Sequence, residues 1–196
     1  MPETRATYFS IDIECNGPVP ALYDMVSIGV VVVAPDERGR LRPAERLYLE
    51  IRPQAPRVDP GAAKVHGLDQ DHLARHGLPR DEAMRTLDAW VRASTRPGTE
   101  AVFVGHNAPF DWSFIAWTFH AEGMANPFGY KGLCTKSLCM GVLGLHWLDT
   151  NKELLSERLG LPVEDRRQKH RADYDADYQA QILIALLERM ERAAAV

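Results

Sequence analysis

Residues 25–34, Met-Val-Ser-Ile-Gly-Val-Val-Val-Val-Ala, form an almost unbroken apolar run rich in β-branched side chains. Such residues favour strands, and the run is far short of the roughly 20 residues a membrane-spanning helix needs. A strand with no polar face must sit in a sheet that is covered on both sides. The chain is therefore expected to pack helices against a central sheet, with no membrane-embedded part.

The neighbouring segments supply the rest of that sheet. Residues 7–14 alternate, with Phe9, Ile11 and Ile13 on one face and Tyr8, Ser10, Asp12 and Glu14 on the other, which is the period of a strand. Asn16-Gly17-Pro18 ends it. Residues 35–40 carry turn chemistry, and a third strand is expected over residues 45–51. Three strands joined this closely predict an antiparallel meander.

Helical patterns follow over residues 60–65, closed by His66-Gly67, and over residues 81–93, where Ala83, Leu87, Trp90 and Val91 recur at helical spacing. A short apolar strand is expected at 101–104, an aromatic helix at 110–121 and a loop at 126–132. Helices are expected over Thr135–Leu143, Lys152–Leu159 and 172–192. The last has an apolar stripe through Tyr178, Ile182, Ala185, Leu186 and residues 189–190. No repeat, low-complexity tract or linker interrupts the order. It predicts one domain over residues 1–196, with a core of about 7–190, in which a mixed α/β sheet is flanked by helices.

The net charge of −4 argues against a protein that coats long nucleic acid electrostatically. It permits an enzyme that grips one strand end while bound cations offset an acidic pocket. The three cysteines form no CxxC pair and read as reduced thiols rather than zinc ligands or a disulfide framework. The first residues, MPETRATYF, lack a signal pattern, so a cytoplasmic location is expected.

Five residues suggest chemistry, although each has an ordinary structural explanation. Asp12 and Glu14, two apart on a strand, leave the same face, as they would on any amphipathic strand. Asp111 opens the aromatic helix, where the helix dipole favours an acid. His170 lies on a basic loop, 166–171, that would be solvated in most proteins. Asp175 is harder to dismiss, because it lies on the core-facing stripe of the last helix. A carboxylate aimed at a core is costly unless it is paired or bound to a cation.

Together they fall in the order Asp-x-Glu, His-Asn-x-x-Phe-Asp and His-x-x-x-x-Asp. This pattern resembles the DEDDh exonuclease superfamily, which includes RNase T, oligoribonuclease and the proofreading subunit of bacterial DNA polymerase III. The likeness runs from about Tyr8 to Leu187, and Val65-His66-Gly67-Leu68 is similar to a further short family motif. The sister branch places a tyrosine four residues before the last aspartate. Here that residue is Arg171, so His170 selects the histidine branch.

The resemblance implies an RNase H-like fold and a 3′-to-5′ exonuclease that releases nucleoside 5′-monophosphates from single-stranded or short nucleic acid, RNA or DNA, with a free 3′ end. It implies Asp12, Glu14, Asp111 and Asp175 as ligands of two Mg²⁺ or Mn²⁺ ions and His170 as general base. Ile13, His66 and Asn107 are implied near the terminal nucleotide. Arg166 and Arg167 are candidate phosphate contacts because of their place beside His170. Two divalent cations about 4 Å apart can clamp the attacking and leaving oxygens of an in-line displacement, and oxygen ligands suit Mg²⁺ or Mn²⁺. Two departures stand out: Cys15 follows Glu14 where the family usually has Thr or Ser, and Cys134 precedes Thr135 where it often has Asp. A homodimer is expected only by analogy. The competing readings are a polymerase-associated proofreader and a catalytically inactive RNase H-like module that binds nucleic acid or protein.

Overall fold

The computed structural model describes residues 5–194. Strands β1 (Ala6–Cys15), β2 (Met25–Pro35) and β3 (Leu41–Glu50) form the expected meander. The first two helices are α1 (Pro60–His66) and α2 (Gln70–His76), followed by α3 (Arg80–Ser94). Strand β4 (Glu100–Gly105) leads to α4 (Pro109–Ala121) and the three-residue β5 (Gly132–Cys134). After them come α5 (Thr135–Leu143), a 3₁₀ turn (Trp147–Asp149), α6 (Lys152–Leu159) and α7 (Ala172–Ala194). The sheet order is β3-β2-β1-β4-β5, with β4 and β5 parallel to β1, so the sheet is mixed. Among the described residues, no helix is long and apolar enough to cross a membrane.

β2 is buried along most of its length because both sheet faces are covered. On one face Phe9, Ile11, Ile13, Ile28, Val30 and Val32 pack with α3 and α4. On the other, Val31, Val33 and Val104 meet Ala176, Ala180 and Leu183 of α7. Phe128, on the loop after α4, is 4% exposed and stands edge-on to Phe9 and Phe103, with centroids 5.6 and 5.8 Å away. The stripe of α7 ends sooner than its pattern suggested. Leu186 is buried, whereas Met190 is 44% exposed.

Two devices bring α7 onto β1. The Ser10 hydroxyl donates to the Ala176 carbonyl at 2.8 Å, satisfying a buried polar group at the contact. Gly29, paired with Asp12 across the β1–β2 ladder, leaves space for the start of the helix. A Cβ at Gly29 would lie 2.1 Å from the Ala172 carbonyl oxygen and 2.5 Å from the Asp173 nitrogen. Because both obstacles are backbone, Gly29→Ala can be accommodated only by moving α7. Overpacking of this kind costs about 2–3 kcal/mol, or roughly 5–10 °C in Tm for a domain of this size. Thermal denaturation of Gly29→Ala should show that loss, and an unchanged Tm would mean that α7 is less closely seated.

Candidate active site

The carboxylates converge where β1 ends. A register shift between Glu14 and Cys15 interrupts the β1–β2 ladder just before its last pair, Cys15 with Met25. Asp12 and Glu14 leave the face covered by α7, as their spacing predicts. The Asp12 carboxylate accepts a hydrogen bond from the Gln179 side chain, and Gln179 in turn accepts the His106 backbone N–H at 2.9 Å. Asp111, in the first turn of α4, accepts the Ile13 backbone N–H at 3.2 Å. Asp175 reaches back over the start of α7, where its Oδ2 takes the His170 backbone N–H at 2.7 Å and its Oδ1 meets the Lys152 ammonium.

His170 is exposed and holds a left-handed backbone with φ of 65°. Glu14, His170 and Asp175 each offer a ligand atom, and these atoms lie within 4.8 Å of one another. All five sequence-predicted catalytic residues line one cavity of about 650 Å³, within the usual range for small-ligand sites.

Burial and mutual repulsion dominate the electrostatics. Desolvation, then Asp175 and Asp111, push the Glu14 carboxyl up to about 8. Burial holds Asp111 at about 7 even though the Ile13 N–H favours its charged form. Asp12 is raised well above the usual carboxylate range by burial and then by Asp111. Oxygen donors crowded at this cost fit hard divalent cations, with Asp12, Glu14, Asp111 and Asp175 as the residues to hold them.

This crowding has a consequence for stability. A carboxyl with a raised pKa keeps its proton in the folded protein after the unfolded chain has lost it. The contribution of Glu14 to stability should therefore be fully present below the ordinary Glu value of 4.5 and be lost as pH rises toward the folded value of about 8. With chelator present, Tm should drop by about 5 °C or more between pH ~5 and ~8. Mn²⁺ should reverse the drop, since a ligand of the native state stabilises it. A flat Tm profile in chelator would contradict the crowding.

The other predicted residues are placed unequally. Asn107 lines the cavity and has a φ of 72°, a conformation that Asn tolerates better than most residues. Ile13 also borders it, although its side chain lies in the core. His66 does not line it. Its ring is held between Asn16 Oδ1, at 3.3 Å, and the Leu68 N–H, at 3.0 Å, and so braces the loop after β1. Arg166 and Arg167 are also outside it, Arg167 being tied to Asp165. The lysines Lys136, Lys152 and Lys169 line the cavity instead, with Val65 and Phe110 as apolar rim residues. Sequence reasoning missed Lys152 and Gln179. The only available signal was a polar residue on the buried stripe of α7, and that applied to Gln179 alone.

Acidic residues gathered at the end of a mixed sheet, with a histidine at the entrance to the last helix, define a nuclease of the DEDDh class. The chain belongs to the RNase T exonuclease family, whose model, described as an exonuclease, matches residues 9–183. It is 33% identical over 190 residues to the 3′-5′ DNA exonuclease Cap18 of Escherichia coli, covering 97% of this chain and 96% of that protein. It is 27% identical to ribonuclease T of Photorhabdus laumondii, covering 93% and 84%. Its fold matches the nuclease domain of 3′hExo, a DEDDh family member solved with rAMP, at a TM-score of 0.75 and 14% identity, over 95% and 94% of the two chains. The family generally uses divalent metal ions.

Proposed function

We propose that the protein removes nucleotides from the free 3′ end of single-stranded or short nucleic acid and releases nucleoside 5′-monophosphates. The observation that carries this reading is the meeting of Glu14, His170 and Asp175 within 4.8 Å, in a cavity that Asp12 and Asp111 also line. Two Mg²⁺ or Mn²⁺ ions are the proposed cofactors. When bound, they supply the positive charge that a phosphodiester needs before a nucleophile can approach and a 3′ oxygen can leave.

The remaining steps fall to the chain's own residues. Asp12, Glu14, Asp111 and Asp175 hold the ions, and Gln179 fixes the Asp12 carboxylate. His170, exposed at the cavity edge, takes the proton of the attacking water. Val65 and Phe110 offer apolar surface on which the terminal bases can rest. DNA is favoured over RNA, because the relative at 33% identity is named for DNA and the one at 27% for RNA.

The test uses matched 5′-labelled DNA and RNA strands, from dinucleotide to twenty-mer, and a closed single-stranded circle, with Mg²⁺ or Mn²⁺. Stepwise shortening of linear DNA with the circle spared is the expected result. Nicking of the circle would indicate an endonuclease, and faster RNA shortening would reverse the substrate preference.

A further inference from the structure

Glu164 lies in the segment between α6 and α7, is 6% exposed, and has no hydrogen bond to either side-chain oxygen. A buried carboxylate without hydrogen bonds is costly unless cations compensate it. Two do so here, with Lys152 Nζ 3.6 Å from one oxygen and Lys169 Nζ 3.7 Å from the other. Both lysines line the active-site cavity, and Glu164 does not. Lys152 also touches Asp175, and Lys169 donates to Glu153 at 2.7 Å. The carboxylate thus sits behind the cavity wall and ties two ammonium groups into it from different segments.

The charges give the arrangement a purpose. Asp12, Glu14, Asp111, Asp175, Glu164 and Glu153 would carry six negative charges if all were ionised. Two divalent cations would cancel four of them and Lys152 and Lys169 the other two, and an incoming phosphate oxygen would replace the exposed Glu153 carboxylate at Lys169. An ammonium held by a buried partner has already lost much of its side-chain freedom, so less entropy remains to be lost when it meets that anion.

We infer that Glu164 holds Lys152 and Lys169 as a fixed pair of cations that grips non-bridging oxygens of the strand phosphate brought to the carboxylate cluster. This rests on the exonuclease reading above and adds a phosphate-binding device to it. It also accounts for the basic loop before α7: Lys169 acts in the cavity, and Arg166 and Arg167 stay outside.

The experiment measures binding of a fluorescent single-stranded DNA as a function of salt, with Ca²⁺ in place of the catalytic ions. Lys169→Met should weaken binding by about tenfold, the range for a lost hydrogen bond to a charged group. It should also flatten the slope of log affinity against log salt by about 0.7, the value for one lost phosphate contact on a single strand. Lys152→Met should do the same. Glu164→Gln provides a test of sign. If the lysines act only through overall charge, deleting a negative charge should tighten binding. If the carboxylate positions them, binding should weaken, by about fivefold, and adding Glu164→Gln to Lys169→Met should cost less than it does alone. Mn²⁺ affinity, read by electron paramagnetic resonance, should change little in Lys169→Met, which separates phosphate grip from metal loading. Tighter binding by Glu164→Gln, or unchanged salt slopes in both lysine variants, would overturn the pair alone. If the parent neither binds nor shortens the strand, the exonuclease reading falls and the pair falls with it.

Discussion

Asp12→Asn is expected to abolish hydrolysis and, with divalent cations removed, to make the protein harder to unfold. Asn keeps the size of the side chain and an oxygen to accept from Gln179, so local geometry should survive. What it removes is a charge that burial and Asp111 already oppose. Relief of that opposition should raise Tm in chelator at neutral pH. On the proposed reading the same charge helps hold the cations, which would carry several kcal/mol of transition-state stabilisation, and the rate should fall by roughly 10³–10⁴-fold or more. Stability and activity should thus move in opposite directions, as happens where a site is built against its own stability. Paired melting curves and single-turnover rates would check both halves. A variant that lost activity and stability together would show Asp12 to be a structural residue.

The second large effect concerns His170. Its φ of 65° means that His170→Ala would mix loss of the imidazole with backbone strain. His170→Asn is the cleaner change, because Asn tolerates the left-handed region. Its backbone N–H can still donate to Asp175 and seat the start of α7. Loss of a general base should slow the chemical step by roughly 10²–10⁴-fold. Mn²⁺ affinity should stay near that of the parent if His170 handles the proton. The closeness of His170 to Glu14 and Asp175 makes this a real choice. Metal affinity that falls as far as in Asp175→Ala would make His170 a ligand, and near-parental single-turnover rates would remove it from the mechanism.

The sequence revealed features that depend on local pattern. The alternation of β1, the apolar run of β2 and the turn between β2 and β3 were all readable. The helices α5 and α6 fall where the pattern placed them. The carboxylates were readable because three motifs recur in order.

Features that depend on distant partners were hidden. α2 spans seven residues and buries only Leu73, so it shows no period, although its Asp69 cap is a recognisable start signal. β5 is three residues long and is a strand only because β4 lies beside it. Phe128 is buried by rings more than twenty residues away in the chain. Within the run 166–171, spacing could not say which cations face the cavity. That depended on Glu164, a residue with no sequence pattern of its own.

The bond between Gln179 and Asp12 spans 167 residues of chain and is made by the last helix. This sets a timetable for synthesis. Ribosomes add roughly 5–20 residues per second, so β1 is made about 10–30 s before α7 can reach it. Throughout that interval Asp12 and Glu14 have neither Asp175 nor His170 beside them. On the exonuclease reading proposed above, a nascent chain therefore lacks a complete site until its final helix docks.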